Sequence, residues 1–115
     1  KVALGFEVVH VGVNAESAEE SLEICRHLEA AFGFKTQPGS SSNFASPAVE
    51  VMKSQYLGSH GHIAVRTNSI PRAIEELRRR GYNVDASTAK HKGTRMTAVY
   101  LQQQFGGFAL HLLQK

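Results

Sequence analysis

Cysteine is nearly absent from this chain. Cys25 is the only one, so no intrachain disulfide can staple the fold. It falls inside a helix pattern, where a thiol packs as a small hydrophobe, and no histidine stands where it would make Cys25 a nucleophile. Long hydrophobic runs are missing as well. No apolar stretch approaches the roughly 18 residues of a membrane span and no signal peptide is visible, so no membrane partner is expected and a reducing cytoplasm is the expected compartment. Strong charge of one sign is also lacking. The formal net charge is +3, and the one basic cluster is Arg78-Arg79-Arg80. It ends a predicted helix, where cations complement the dipole and the last carbonyls. No aromatic-studded basic surface accompanies it, so nucleic acid is not an expected partner, while small anionic substrates fit the charge. A length of 115 residues predicts one domain, 1–115, with enough chain to bury a core.

What is present is a duplication. His10-Val11-Gly12-Val13-Asn14 precedes a helix-like run from Glu16 to Phe32. His62-Ile63-Ala64-Val65-Arg66 precedes another from Ile70 to Arg80. Each half ends in an apolar strand with a polar residue in its middle: Ala48-Val49-Glu50-Val51-Met52 and Phe108-Ala109-Leu110-His111-Leu112. Such repetition means two copies of one supersecondary unit, about 1–54 and 60–115. The first helix carries a Leu22, Cys25, Leu28, Phe32 stripe and stops at Gly33. The second starts at Asn68-Ser69 with Pro71, carries Ile70, Ile74 and Leu77, and ends at Gly81. Short strands are predicted at Phe34–Gln37 and from Phe44. Further strands are predicted at Phe6–Val13, Ala48–Lys53, Gly61–Thr67, Asn83–Ala86, Thr94–Leu101 and Gly107–Leu113. Ser54–Ser59 reads as a connecting loop and Ser87–Gly93 as a mobile one. The order is β-α-β-β-β twice, an α+β chain.

Strand side chains alternate between faces. Val9, Val11 and Val13 share one face of the first strand, with Val8, His10 and Gly12 on the other. Ile63 and Val65 oppose His62, Ala64 and Arg66; Val49 and Val51 oppose Ala48, Glu50 and Met52; Phe108, Leu110 and Leu112 oppose Ala109, His111 and Leu113. One face suits packing under helices. The other lines a cavity into which His10, Glu50, His62 and His111 point. A single strand histidine is more often a satisfied or exposed side chain than a ligand, but four polar groups at equivalent places of a repeat argue jointly for a site. Imidazole and carboxylate suit zinc, iron, nickel or manganese, and four ligands leave positions open on an ion that accepts five or six. His27, His60 and His91 lack this symmetry and read as solvent-facing.

On these residues the chain resembles the vicinal oxygen chelate superfamily, which includes glyoxalase I, methylmalonyl-CoA epimerase, extradiol dioxygenases and bleomycin-resistance proteins. Gly61-His62-Ile63-Ala64-Val65 is similar to the fifth-strand ligand motif; His10 and Glu50 fall on the first- and fourth-strand ligands. Gly107-Phe108-Ala109-Leu110-His111 falls on a terminal motif that is usually Gly-Asn-x-x-Glu, so His111 replaces a glutamate that is ligand and base in glyoxalase I. Gln104-Phe105-Gly106-Gly107 stands where an Asp-Pro-Asp-Gly turn often precedes it. The resemblance implies a half-open eight-stranded barrel of two repeats, a divalent metal ion held by His10, Glu50, His62 and His111, and a homodimer. If the repeats swap between chains, His10 and Glu50 come from one subunit and His62 and His111 from the other. Val51-Met52-Lys53-Ser54, Tyr56-Leu57-Gly58, Ala98-Val99-Tyr100-Leu101 and the Gly107–Leu112 ending resemble, more closely, the small domain fused behind the barrel of some bacterial ketohydroxyglutarate/ketodeoxyphosphogluconate aldolases. Nothing here is similar to that barrel's Schiff-base lysine, so the chain is a stand-alone relative or an excised domain.

Three functions compete. One is a metal-dependent lyase or isomerase chelating neighbouring oxygens of a small, anionic 2-oxo or 2-hydroxy acid, with Glu50 as the catalytic carboxylate, or His111 in its place if His111 is not a ligand. Arg66 is its candidate carboxylate anchor, with an outward-facing strand-end arginine as the alternative. Tyr100 is a candidate lining residue, with plain packing as the alternative. The second function is a non-catalytic module that binds a small ligand or a metal, accessory to an aldolase. The third is a dimerisation domain, which leaves the four polar groups to coincidence.

Overall fold

Capping chemistry sets both helices. Ser17 accepts a hydrogen bond from the Glu20 N–H, and the Glu20 carboxylate accepts one from the Glu16 N–H, a reciprocal arrangement that satisfies donors a helix start leaves orphaned. Ser69 accepts from the Arg72 N–H, with Pro71 in the first turn. The computed structural model describes residues 3–115; Lys1 and Val2 of the first repeat lie outside the described residues. The elements are β1 (Glu7–Val13), α1 (Ala18–Phe32), β2 (Thr36–Pro38), β3 (Ser42–Ala45), β4 (Val49–Met52), β5 (Gly61–Thr67), α2 (Ile70–Arg79), β6 (Val84–Lys92), β7 (Arg95–Phe105) and β8 (Phe108–Gln114).

The strands form one mixed sheet in the order β2-β3-β4-β1-β5-β8-β7-β6. The sheet does not close, because β2 and β6 are its free edges. Within each half the first strand pairs in parallel with the last, β1 with β4 and β5 with β8. The halves meet where β1 pairs antiparallel with β5. The α+β, β-α-β-β-β twice architecture of the sequence is therefore present. No helix of the described residues is long and apolar enough to cross a membrane.

Each half has its own core. Ala15, Cys25, Ala45 and Val51 pack with Ile24, Leu28 and Val49 under α1. Ile70, Ala73, Val99 and Leu112 pack with Ile74, Leu77 and Val84 under α2. A buried polar knot ties α1 down: the Ser21 hydroxyl donates to the Val51 carbonyl (2.8 Å) and accepts from Asn43 Nδ2 (3.0 Å). The buried line of α1 thus runs through Ser21, Ile24, Cys25 and Leu28; it keeps Cys25 and Leu28 of the expected Leu22, Cys25, Leu28, Phe32 stripe and departs from it at the two ends. Phe32 is 67% exposed and stacks on Phe34 at the helix end. Hydrophobicity alone put a phenylalanine in the core, whereas Phe32 is the last residue before the Gly33 cap and lies off the buried line.

Two irregularities also depart from the sequence reading. A bulge at Val9 lets Val8 pair with Val65 while His10 pairs with Ala64, so Val8 leaves the His10 face for the opposite one. In addition, β6 runs on to Lys92 through the segment expected to be a mobile loop. From the Asp85–Tyr100 pair to the Lys90–Ala98 pair, β6 advances five residues while β7 advances two. The excursion is tied by hydrogen bonds: Ser87 N and Oγ donate to Asp85 Oδ1 (3.0 and 2.6 Å), Thr88 Oγ1 donates to the Asp85 carbonyl (2.7 Å), and Thr88 Oγ1 accepts from the Tyr100 N–H (2.9 Å). A side chain thereby takes the place of the missing ladder partner.

Ser21→Ala is expected to lower unfolding free energy by about 1–3 kcal/mol, because Asn43 and the Val51 carbonyl lose a buried partner. Phe32→Ala is expected to change it by no more than about 0.5 kcal/mol, as for an exposed surface position. Urea denaturation of the two variants checks the ranking; equal losses, or the larger loss at Phe32, would restore the stripe expected from sequence.

Candidate metal centre

The β1–β5 register builds the site. Centred on the Val11–Ile63 pair, His10 stands opposite Ala64 and His62 opposite Gly12. Each histidine thus faces a small residue of the other repeat. At Gly12 the requirement is steric, since an added Cβ would overlap the His62 ring. The flanking parallel pairs bring in the other two groups, Glu50 beside Gly12 and His111 beside Ala64.

Three donors converge. Glu50 Oε1 lies 3.2 Å from His10 Nε2 and 3.1 Å from His62 Nε2, and the two Nε2 atoms are 3.2 Å apart. His62 is buried and the other two are partly so. A triangle with these edges matches the mutual spacing of nitrogen and oxygen donors that each stand about 2.0–2.2 Å from one divalent ion. Each neutral imidazole has a single ring N–H to offer. Three such atoms in mutual contact are satisfied by protons shared on the carboxylate or by one cation that accepts all three lone pairs. The residues therefore fit a metal, and two imidazoles with one carboxylate leave coordination positions open. All three come from one chain, so the triad closes without a swapped partner.

Electrostatics hold Glu50 charged. Hydrogen bonds from His10, then His62, and a 2.6 Å bond from the Ser42 hydroxyl keep its carboxyl far below the usual range, against the opposing effect of burial.

His111 lines the same cavity but does not join the cluster of ligand atoms made by His10, Glu50 and His62. Its ring lies flat on Tyr100, with centroids 4.0 Å apart and planes 2° from parallel, and its buried Nδ1 has no hydrogen-bond partner. Burial first, then the nearby His62 and His10, push its pKa down to about 4, so the ring is neutral at pH 7. Four ligands were expected from the sequence; the triad uses three, because the longer Glu50 side chain reaches both histidines while the His111 ring is held by stacking. Tyr100 is buried in the cavity wall, and burial pushes its phenol pKa up.

Arg66 stands on the cup face by register but does not line the cavity. Its guanidinium grips Glu7 Oε1 (3.0 and 3.2 Å) across the β1–β5 pair, an exposed cross-strand ion pair. The cavity, about 370 Å³, instead takes in Thr88 and Lys90 from the β6 excursion and Tyr56 from the connecting loop. Asn14 pins that loop by donating from Nδ2 to the Gly58 carbonyl (2.9 Å). Lys90 escaped sequence reasoning because it sat in a segment taken for a loop; its face is fixed only by the bulge. Cys25 is buried, with its thiol pKa raised by desolvation. His27, His60 and His91 are exposed.

No protein-family model and no curated protein matches the sequence. Solved structures do match over nearly the whole chain. A methylmalonyl-CoA epimerase crystal structure superposes with a TM-score of 0.65 at 18% identity, covering 99% of this chain and 98% of that one. A methylmalonyl-CoA epimerase in complex with methylmalonyl-CoA and ammonium gives 0.61 at 14%, covering 98% and 96%. The methylmalonyl-CoA epimerase from Mycobacterium tuberculosis gives 0.58 at 13%, covering 93% and 86%. At these identities the likeness shows the fold, a glyoxalase-like open sheet of two repeats.

Gly12→Ala is expected to keep the fold by circular dichroism yet weaken divalent-metal binding about tenfold or more, by pushing His62 out of the triangle; unchanged affinity would mean the ring is not held where the ion needs it. His111 gives a pH signature in the metal-free protein. Its folded pKa, about 4, lies below the ordinary value of about 6.5. Between those values the unfolded chain holds the extra proton, so this group's contribution is fully present above about pH 6.5 and is lost as pH falls toward 4. His111→Phe should flatten that part of the stability–pH curve, read by denaturant melts at successive pH values; an unaltered slope would place the histidine in contact with water.

Proposed function

We propose that the chain is a divalent-metal-dependent isomerase or lyase of the glyoxalase type that moves a proton next to a carbonyl of a small acid with two adjacent oxygens. The single observation that carries this is the His10–Glu50–His62 triangle, with its 3.1–3.2 Å edges; Glu50 and His62 line the cavity shared with His111, and His10 opens on its other side beside Phe44. His10, Glu50 and His62 would hold the ion; zinc, nickel, manganese and iron all suit the donor set. When bound, it would supply positive charge beside the substrate's vicinal oxygens and so lower the energy of the oxyanion that forms as a neighbouring carbon loses its proton. The epimerases that share the fold, one of them bound to methylmalonyl-CoA, support an isomerase over a lyase.

The remaining side chains divide the work. Glu50 was the carboxylate expected to act as base, but a group held anionic by two imidazoles and a serine hydroxyl binds protons weakly. His111 is the better base: neutral, unpartnered at its buried Nδ1 and part of the wall of the cavity that Glu50 and His62 line. Tyr100 supports it from behind by ring stacking and keeps its own proton, which leaves the phenol a hydrogen-bond donor. The cavity's size suits a small molecule. A homodimer remains part of this proposal, although the triad does not need one. An accessory role beside a ketohydroxyglutarate/ketodeoxyphosphogluconate aldolase, as a binding module without chemistry, rests on the sequence resemblance alone.

Elemental analysis of protein purified without chelator or metal affinity resin tests the proposal. About one transition-metal ion per chain is expected, lost in His62→Ala, together with deuterium exchange at the carbon next to the carbonyl of a 2-oxo acid that falls at least a hundredfold in His111→Ala. No ion in either protein, and none taken up from zinc, nickel or manganese, would remove the enzyme and leave a binding module.

A further inference from the structure

The cavity has a cation that the triad does not use. Lys90 stands on the cup face because its β7 partner is Ala98, two residues from Tyr100 on the same side of the strand. The five-for-two advance of β6 puts it there; a regular ladder would set Ser87, not Lys90, against Ala98. The hydrogen bonds of Asp85, Ser87 and Thr88 lock the excursion, so the lysine's starting point is fixed even though its side chain is exposed. Three other cations are occupied elsewhere. Arg66 and Lys115 both bind Glu7, and Lys53 donates to the Gly39 carbonyl. Lys90 has no ion-pair partner among the described residues and lines the cavity together with Glu50, His62 and His111. The one carboxylate facing it, Glu50, is already engaged by two imidazoles and Ser42. The Thr88 hydroxyl is likewise engaged, by the Asp85 carbonyl and the Tyr100 N–H. The positive field at this lip also reaches His111, where Lys90 helps disfavour the protonated ring.

We propose that Lys90 is the substrate's anion anchor and that the site selects small diacids: one end presents two adjacent oxygens to the triad, and a second carboxylate pairs with Lys90 at the mouth. This rests on the metal-site reading above and replaces Arg66 as the specificity residue. A cavity of about 370 Å³ holds a short diacid with room for water. A monoacid would leave the ammonium facing solvent and gain nothing from it. The geometry thus narrows the substrate class from 2-oxo or 2-hydroxy acids in general to those with a second carboxylate.

Calorimetric titration of the full chain loaded with Mn(II) tests this with two probes, pyruvate and 2-oxoglutarate, which share the 2-oxo acid head and differ in the distal carboxylate. The wild-type protein should bind 2-oxoglutarate about tenfold more tightly. Lys90→Ala and Lys90→Met should bring the two probes within about twofold while leaving manganese affinity unchanged, which also shows that the variants fold. Lys90→Arg should keep most of the gap, and Arg66→Ala should keep all of it. Equal binding of both probes by the wild type, a gap that survives the Lys90 substitutions, or a gap lost in Arg66→Ala overturns the anchor while the metal site stands. Failure of every protein to take up manganese overturns the metal site, and the anchor with it.

Discussion

Everything at this site depends on one stretch of antiparallel pairing, the three successive pairs His10–Ala64, Val11–Ile63 and Gly12–His62 among those that join β1 to β5. At Gly12 an added Cβ would overlap the His62 ring, so that imidazole can lie across the strand pair only because the residue opposite is glycine. Each histidine faces a small residue of the other repeat, His62 opposite Gly12 and His10 opposite Ala64. The two rings lean toward each other across the Val11–Ile63 axis until their Nε2 atoms touch. The pairing that holds the halves together is therefore the same pairing that makes the donor triangle, and neither half has the triangle alone.

Duplication supplies near-symmetry, and its breakdown supplies chemistry. Glu50 and His111 occupy equivalent places beside Gly12 and Ala64, with Phe44 and Tyr100 as their outer neighbours. A carboxylate on one side reaches in and is fixed as an anion. An imidazole on the other stacks on the tyrosine, stays outside the donor cluster and is neutral at pH 7. One half of the cup thus presents a carboxylate held anionic, and the other a neutral imidazole whose buried Nδ1 has no hydrogen-bond partner. The β6 excursion adds a second asymmetry by setting a lysine on one lip and not on the other.

Much of this was legible in the sequence, for identifiable reasons. The repeat of His-Val-Gly-Val and His-Ile-Ala-Val, and the polar residue in the middle of each terminal strand, marked the element order, the cup face and the places of His10, Glu50 and His62 on it. Ser69 with Pro71 marked the second helix at its true start. What was not legible depends on geometry that alternation cannot express. The bulge at Val9 moves Val8 to the other face, and the bulge after Asp85 turns an expected loop into strand and brings in Lys90. Arg66 sits on the right face yet spends its charge on Glu7, a partner three positions before the start of the His10 motif. Whether His111 joins the ion depends on side-chain reach, and only the Tyr100 stack decides it.

The central claim is that one chain makes one three-residue metal centre. The most direct measurement is anomalous diffraction from crystals of the wild-type protein soaked in Mn(II). The account predicts a single strong peak per chain, bounded by His10 Nε2, His62 Nε2 and Glu50 Oε1 of the same chain, with His111 still stacked on Tyr100. A peak bounded by residues of two chains, or one coordinated by His111 in place of a triad member, would contradict it.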